Sequence, residues 1–255
     1  HRQGKYTEAE NLFQRAMAGR EKILGSEHVE TLATVHGLAL LYESQERFND
    51  AEACYQRALA GCKKVLGSGH SETLAIVHNL ASMYQNQEKY MEAQSLYLKA
   101  LPGQQKQLGP EHSNTLTTMQ NLALLFKKQK NYNDADELYQ KALAGSKKIL
   151  GAEHPVTLRI MHNLASLYKA QKKYPEAQSL YLSALAGRER QLGPEHGETL
   201  ATVYKLASLY QKQVNYEQAK ILFQRALDGH QKLLGSEHSE TLLTMKKLKS
   251  LHEKI

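Results

Sequence analysis

Six histidines recur at intervals of 42 residues, and histidine is the commonest metal ligand in proteins. A zinc ion needs ligating nitrogens about 2 Å away. These histidines fall one to each interval, so neighbouring ones should lie roughly 10 Å apart, the spacing of adjacent packed helices. We therefore predict no metal site and expect each histidine to bind backbone groups near the start of a helix. The six residues are His28, His70, His112, His154, His196 and His238.

The other reactive residues do not form a catalytic set. The segment Gly67-Ser68-Gly69-His70 is rich in glycine but lacks the lysine and the flanking strand of a phosphate-binding loop. Cys54 and Cys62 share one helical pattern, where the rise per residue separates them by roughly 12 Å, too far for a disulfide. No nucleophile with a base in reach can be named. We predict a protein that is not an enzyme, has no cofactor and is cytoplasmic with reduced thiols.

Composition favours helices and a chain outside the membrane. Aromatic residues make up only 7% of the sequence, Trp is absent and Pro occurs 5 times. That mixture lacks the β-branched and aromatic enrichment of sheets. No apolar run approaches the roughly 18 residues of a membrane span, and no charged and apolar leader opens the chain.

Internal repetition organises the whole chain. The dipeptide Leu-Gly and the histidine three residues after it recur in one register throughout. Residues 73–114 and 157–198 align without gaps and share 28 of 42 positions. A period held this strictly predicts one supersecondary unit, stacked on copies of itself. The dipeptide Thr-Leu marks each unit at Thr31, Thr73, Thr115, Thr157, Thr199 and Thr241.

Each unit has the period of two helices. Apolar residues follow i, i+3, i+4, i+7 spacing in Thr73–Gln87 and again in Tyr90–Leu108. The short polar turn Gln87-Glu88-Lys89 must place the two helices side by side and antiparallel. Neither helix can bury its apolar stripe alone, so the hairpins must stack.

Turn and cap residues mark the ends of these helices. A glycine such as Gly109 should end each second helix with positive φ. Pro155 suits a first helical position, and mid-helix glycines such as Gly187 indicate close backbone approach between stacked repeats. The residues expected to N-cap the first helices are Ser71, Ser113 and Ser239.

The run Leu80-Ala81-x-x-Tyr84, followed by Tyr90-x-x-Ala93-x-x-x-Tyr97-x-x-Ala100, resembles the tetratricopeptide (TPR) pattern. The unit is eight residues longer than the usual 34 and carries Leu-Gly-x-x-His-x-x-Thr-Leu between hairpins. This longer form is similar to the repeats of kinesin light chains and of fungal and bacterial NLR-like signalling NTPases. The resemblance implies an all-α fold, a right-handed TPR-type α-solenoid of stacked antiparallel helix hairpins.

The register divides residues 1–255 into a single repeat domain. Residues 1–25 correspond to the second helix of a truncated repeat, and residues 236–255 to a polar C-terminal capping helix. We expect a fragment of a longer protein, with self-association through the open repeat ends as one further interaction. The five full repeats are residues 26–67, 68–109, 110–151, 152–193 and 194–235.

The resemblance also implies that the first helices line a concave ligand groove. Their exposed stripe contains nine basic and two acidic residues, and the resulting +7 equals the formal charge of the whole chain. A face with this excess of positive charge favours an acidic ligand. The alternative is that these lysines only keep the protein soluble. The charged members are Lys127, Lys128, Arg159, Lys169, Lys205, Lys212, Lys246, Lys247 and Lys254, with Glu43 and Glu253.

Asparagine recurs at one stripe position in three successive repeats, where we see no packing reason for it. Its amide both donates and accepts, which suits the backbone of an extended peptide. We therefore predict a scaffold whose groove binds an extended, acidic protein segment. The expected groove residues are His78, Asn79, Ser82, Asn121, Lys127, Arg159, His162, Asn163, Lys169, Tyr204, Lys205, Lys246 and Lys247.

The sequence is compatible with more than one biological setting and with a second class of ligand. A sensor or interaction domain of an NLR-like NTPase is the favoured setting, and a cargo adaptor of the kinesin-light-chain type is the alternative. Nucleic-acid binding fits the pI of about 9.2. However, the stripe lacks the exposed aromatic residues on which single strands stack.

Overall fold

A computed structural model describes the backbone of residues 2–252 and the side chains of residues 5–251. These residues form twelve α-helices and no β-strand, which confirms the all-α prediction. The helices are α1 (Arg2–Leu24), α2 (Val29–Ser44), α3 (Phe48–Val65), α4 (Ser71–Asn86), α5 (Tyr90–Gln107), α6 (Ser113–Lys128), α7 (Tyr132–Leu150), α8 (Pro155–Ala170), α9 (Tyr174–Leu192), α10 (Gly197–Lys212), α11 (Tyr216–Leu234) and α12 (Ser239–His252).

The chain divides into two compact units, His1–Leu125 and Phe126–Ile255, with the boundary inside α6. In unit 1, α2 pairs with α3 and α4 with α5, while α1 packs on α2 and α3 on α4. In unit 2, the pairs α8–α9 and α10–α11 are joined by contacts of α7 with α8, α9 with α10, and α11 with α12. Stacked antiparallel hairpins are thus confirmed in each unit. The assignment of all repeats to a single domain stays a prediction.

The turns inside the hairpins have the predicted length. The helix α4 ends at Asn86 and α5 begins at Tyr90, which leaves the three residues that the sequence indicated. The middle residue has positive φ although it is not glycine, a conformation that L-residues adopt rarely and that sequence analysis did not foresee. The five such residues are Glu46, Glu88, Lys130, Lys172 and Val214, with φ between 60° and 64°.

The loop between hairpins explains the recurring histidine. His70 precedes α4, and its Nδ1 accepts a hydrogen bond of 3.3 Å from the backbone N–H of Glu72. All six histidines make the same bond, so their predicted role is confirmed. The expectation that serines cap these helices was wrong, because they follow the capping histidine as the first helical residue. These serines are Ser71, Ser113 and Ser239.

Glycine and threonine close the same loop. Gly67 has a φ of +90°, which only glycine adopts without strain, and its carbonyl accepts a 2.8 Å bond from Thr73 Oγ1. Pro155 begins α8 as predicted, since the first helical N–H needs no partner.

Aromatic side chains and small residues form the hairpin cores. One aromatic side chain in each second helix from α3 to α11 is fully buried, contributing about 1.5–3 kcal/mol. A Cβ on Gly187 would lie 2.5 Å from the side chain of Leu158 in the same hairpin. We predicted that this glycine allows the backbones of neighbouring repeats to approach each other. That prediction was wrong, because the group that lies against Gly187 is a side chain of its own hairpin. The aromatic residues are Tyr55, Tyr97, Tyr139, Tyr181 and Phe223.

Candidate functional site

The predicted groove residues lie on the first helices of the hairpins, as the register required. We call the exposed face of these helices the first-helix stripe and describe it for each unit by itself. Unit 1 carries His78, Asn79, Ser82 and Asn121. Unit 2 carries the nine others: Lys127, Arg159, His162, Asn163, Lys169, Tyr204, Lys205, Lys246 and Lys247. Glu253 and Lys254 of the predicted charged set lie outside the described residues.

In unit 1 the polar side chains of the stripe bind one another. The Nδ2 of Asn79 donates to Nε2 of His36 at 2.9 Å, and that of Asn121 donates to the hydroxyl of Tyr97 at 3.0 Å. The Nδ1 of His78 lies 3.2 Å from Thr118 Oγ1. Our view that asparagine has no structural reason to recur here was therefore wrong for Asn79 and Asn121.

Unit 1 also contains a polar depression of about 630 Å³ beside these residues. Two carboxylates line it, and the Glu43 carboxylate already accepts a 2.8 Å bond from the hydroxyl of Tyr55. The lining residues are Leu40, Glu43, Ser44, Glu46, Phe48, Asn79, Ser82 and Asn86. This part of the stripe is neutral to acidic.

In unit 2 the stripe is basic and its charges repel. Burial, followed by the nearby charges of Lys205 and Lys128, lowers the pKa of Lys127 to about 8. Burial also lowers the pKa of Lys169 to about 8, and Lys205, Lys212, Lys247 and Lys127 act in the same direction. We call Lys127, Lys169, Lys205, Lys212 and Lys247 the lysine cluster. Every charged group that perturbs Lys127 and Lys169, which are half-buried, is another lysine.

Hydrogen bonds position part of this cluster. The Nζ of Lys169 donates to Oγ of Ser208 at 2.5 Å, so a side chain of α10 holds a lysine of α8. Asn163 is half-buried in the same unit and has no hydrogen-bond partner among the described residues. The Tyr139 hydroxyl, in the register of Tyr97, is buried and also lacks a partner among them. The amide of Asn163 is thus available to a ligand, unlike that of Asn121.

A buried arginine behind the stripe was not foreseen from the sequence. Arg188 is 4% exposed, donates to Thr202 Oγ1 at 2.6 Å and pairs with Glu198 at 3.0 Å. It lies near His162, whose pKa falls to about 3, mainly through burial and then through this arginine and nearby lysines. His162 is therefore neutral at physiological pH. The repeat register held one clue to this arginine, because Arg20 occupies the same position four repeats earlier. In the structure Arg20 donates to Thr34, as Arg188 does to Thr202.

The remaining predicted residues have less direct roles. The Tyr204 ring packs edge-on against Phe223 at 5.4 Å and lines a cavity of about 160 Å³ with Lys205 and His230. Lys246 is exposed and Arg159 is half-buried. The structure thus brings His162 near Lys127 and Lys205 of the cluster, and packs Tyr204 partly into the core.

Metal sites and membrane-spanning helices are both absent from the described residues. No three His, Cys, Asp or Glu side chains in that part of the chain are close enough to hold a metal ion. None of its helices combines the length and the apolar character that crossing a bilayer requires. Both cysteines are free thiols, Cys54 half-buried and Cys62 buried.

Comparison with solved structures finds the same architecture. A putative kinesin light chain from Podosopora anserina with nearly identical TPR-like repeats is 29% identical, with a TM-score of 0.70 over 81% of this chain and 97% of that one. BtubC from P. vanneervenii is 22% identical, covers 92% of both chains and has a TM-score of 0.72. The apo quorum sensor NprR from B. thuringiensis is 18% identical, with a TM-score of 0.72 over 97% of this chain and 66% of that one.

Curated proteins yielded no match. A family model for the tetratricopeptide repeat, in contrast, matches residues 1–64, 72–148, 122–190, 157–227 and 198–255. These segments include nearly the whole sequence, and they agree with the stacked hairpins of each unit. The chain belongs to the tetratricopeptide repeat family.

Proposed function

We propose that this protein-interaction scaffold binds an extended acidic segment of a partner along the first-helix stripe of unit 2. The observation that carries the proposal is the lysine cluster, in which the groups perturbing Lys127 and Lys169 are all cationic. Such an arrangement costs stability in the free protein because like charges repel in a partly desolvated place. A carboxylate-bearing ligand removes that cost and gains attraction from several lysines together.

The expected binding energy is distributed over several contacts. An exposed ion pair is worth only about 0–1 kcal/mol, so no single lysine should dominate. A row of cations focuses the field and accelerates the encounter with an anionic partner. The association rate should therefore fall steeply with added salt, whose Debye length is about 8 Å at physiological ionic strength.

Asn163 supplies the contact that fits a peptide backbone. A side-chain amide can donate to a carbonyl and accept from an N–H of an extended chain. Asn79 and Asn121 of unit 1, in contrast, each donate to another side chain of the protein. A solved structure of NprR in complex with its cognate peptide NprX has a TM-score of 0.60 and 19% identity to this chain. That fold therefore accommodates a peptide in at least one other protein.

The test uses degenerate peptide libraries with an acidic, a neutral or a basic central segment, passed over the immobilised protein. We expect the acidic library to be retained and the best peptides to bind with an affinity that falls as salt rises. Replacing Lys169, Lys205 and Lys247 together by Glu should abolish this retention while circular dichroism stays helical. The proposal fails if the acidic library is not retained above the basic one.

A matched control places the same charge reversal elsewhere. Lys147, Lys148 and Lys232 are exposed on second helices, and Lys232 pairs with Glu195 at 2.6 Å. Their joint replacement by Glu changes the net charge equally and should leave most of the binding intact. Equal loss in both triple variants would mean that net charge, not the stripe, attracts the ligand.

The cellular setting is a separate part of the proposal. We favour an interaction or sensor domain of a cytoplasmic NLR-like NTPase, with a cargo adaptor as the alternative that the likeness to a putative kinesin light chain supports. A nucleotide-binding domain encoded in the same reading frame would decide for the NLR-like setting.

Self-association through the repeat ends is tested by sedimentation over a range of concentrations. Nucleic-acid binding is tested by retention of single-stranded oligonucleotides.

A further inference from the structure

The cavity of about 160 Å³ in unit 2 is lined by residues of α10, α11 and α12. Its walls are mostly apolar and include the side chains of Ala201 and Leu243. Ala201 occupies the register of Arg159 in the preceding repeat, so a small side chain stands here in place of a long one. An apolar cavity of about 150 Å³ holds one benzene molecule. This cavity therefore has room for a single six-membered ring.

A second shortened side chain explains why the cavity exists at this repeat. His230 occupies the register of Arg188, whose buried guanidinium donates to Thr202 Oγ1 at 2.6 Å in the preceding repeat. Thr244 stands in the register of Thr202 and lines the cavity. An imidazole is shorter than the arginine side chain, so it leaves open the space that the arginine would fill. The cavity is thus a specific difference between two repeats of the same fold.

The hydrogen bonds of His230 show which of its ring nitrogens is free. Thr244 Oγ1 donates to the carbonyl of Glu240 at 2.8 Å, so it accepts from Nδ1 of His230 at 3.2 Å. The proton therefore lies on Nδ1, and Nε2 has a lone pair that accepts hydrogen bonds. His230 is only 4% exposed, and its Nε2 has no partner among the described residues. Burial lowers the pKa of His230, so the ring is neutral at neutral pH.

Tyr204 contributes an aromatic wall and a second polar group. Its ring packs edge-on against Phe223 at 5.4 Å, and its hydroxyl has no hydrogen-bond partner among the described residues. A buried acceptor without a donor costs free energy, which a ligand that supplies the donor removes. Aromatic rings also pack favourably edge-on or offset against one another. The lining therefore fits an aromatic ligand with one polar hydrogen.

We propose that this cavity binds one six-membered aromatic ring that carries a hydrogen-bond donor, a phenol in the simplest case. The ring packs between Ala201 and Leu243, and its O–H donates to Nε2 of His230. A ring of the same shape without the hydroxyl leaves that acceptor unpaired and binds more weakly. The phenol can belong to a free small molecule or to a tyrosine of a partner protein. Binding of a neutral phenol needs none of the lysine charges, so this site is independent of the acidic-segment function.

The experiment compares p-cresol with toluene, which has the same ring and methyl group but no donor. Methyl NMR of the whole chain follows Ala201 and Leu243 during titration with each compound. We expect p-cresol to shift both methyl signals saturably and to bind about threefold to tenfold more tightly than toluene, the range that one net hydrogen bond gives. His230→Phe keeps a ring but removes the acceptor, and should abolish this difference.

A second variant fills the cavity with a side chain that this fold already accommodates. His230→Arg recreates Arg188 of the preceding repeat opposite Thr244, and should weaken p-cresol binding by more than about tenfold while circular dichroism stays helical. Gln231→Arg is the matched control, because it adds the same charge at the next residue, which is exposed. We expect the control to bind p-cresol as the parent does.

Degenerate peptide libraries with a central Tyr or Phe between neutral residues separate the two sources of the phenol. Retention of the Tyr library above the Phe library, lost in the His230→Arg variant, assigns the site to a partner's tyrosine. Binding of p-cresol without such retention assigns it to a free phenol. The site is overturned if neither compound binds, if p-cresol and toluene bind equally, or if His230→Arg leaves p-cresol binding unchanged. Retention of the acidic libraries is measured separately, so either proposal can fail alone.

Discussion

The stripes of the two units differ in what their polar side chains do, although both lie on the same kind of helix. In unit 1, Asn79, Asn121 and Glu43 bind other side chains of the protein. In unit 2, Asn163 has no partner among the described residues, and the lysines repel one another. Hydrogen bonds satisfied internally stabilise the fold, whereas uncompensated charge is a cost that a ligand can remove. This contrast is the reason for proposing the ligand site in unit 2.

The register makes this contrast direct. Lys127 and Lys169 occupy the position that Glu43 and Gln85 occupy in unit 1. The hairpin cores, in contrast, hardly change, since Tyr55 of unit 1 and Tyr181 of unit 2 are both fully buried. A repeat protein can thus vary one face of its helices while the packing between them stays constant.

The largest expected effect tests whether the two cores are equivalent. Ala51 in unit 1 and Ala177 in unit 2 are both fully buried in hairpin cores. Replacing either by Leu should overpack its hairpin and lower the free energy of unfolding by about 1–3 kcal/mol. Urea denaturation measures both variants. A cost in one unit and none in the other would show that the cores are not equivalent and that our hairpin register is wrong.

A smaller effect should separate the two asparagines. Asn121→Ala removes the donor to the buried hydroxyl of Tyr97 and should cost about 1 kcal/mol of unfolding free energy. Asn163→Ala removes no such bond and should change stability by less than about 0.5 kcal/mol, yet weaken binding of acidic peptides. Thermal unfolding and peptide titration measure the two properties. The comparison between the units breaks down if both substitutions destabilise equally.

Local patterns were enough to predict the fold because each element depends on its own residues. The apolar period and the polar segment Gln87-Glu88-Lys89 placed the hairpin turn correctly. The residue that N-caps each first helix was harder to predict, because a histidine and a serine that can both accept a hydrogen bond are adjacent at the start of the helix. The repeats held a clue, because the histidine never varies whereas the serine position also contains Val29 and Gly197.

The site was predictable only in part. Helical spacing identified the stripe and its lysines, since exposed positions follow from the apolar period. It could not show that Asn79 meets His36, 43 residues away, or that Arg188 lies buried beneath the stripe. Those contacts join separate hairpins, so they depend on tertiary packing rather than on spacing within a helix. Charge alone also could not reveal how strongly Lys127 and Lys169 are desolvated.

The last prediction uses pH to measure the repulsion within unit 2. The pKa of Lys127 and Lys169 is about 8 in the folded protein and near the ordinary value of about 10.4 in the unfolded chain. Between these values the unfolded chain binds more protons, so these two lysines should raise stability as the pH increases from about 8 to 10. Below pH 8 both states hold the protons and the repulsion is fully present. Replacing both lysines by Gln should therefore stabilise the protein at pH 7 by roughly 1 kcal/mol. It should also reduce the increase in unfolding free energy between about pH 8 and 10.

Other groups titrate in the same range, so the variant must be compared with the parent at each pH. Burial raises the pKa of Cys62 and raises that of Tyr97 to about 12, which lowers stability as the pH rises through the unfolded values of these groups. They are present in both proteins and cancel in the difference.

Gln85→Met in unit 1 changes the same register position without a lysine and should leave the pH dependence unaltered. A difference between parent and double variant that stays constant from pH 7 to about 9.5 would show that the lysines do not repel, and the contrast between the two stripes would then rest on hydrogen bonds alone.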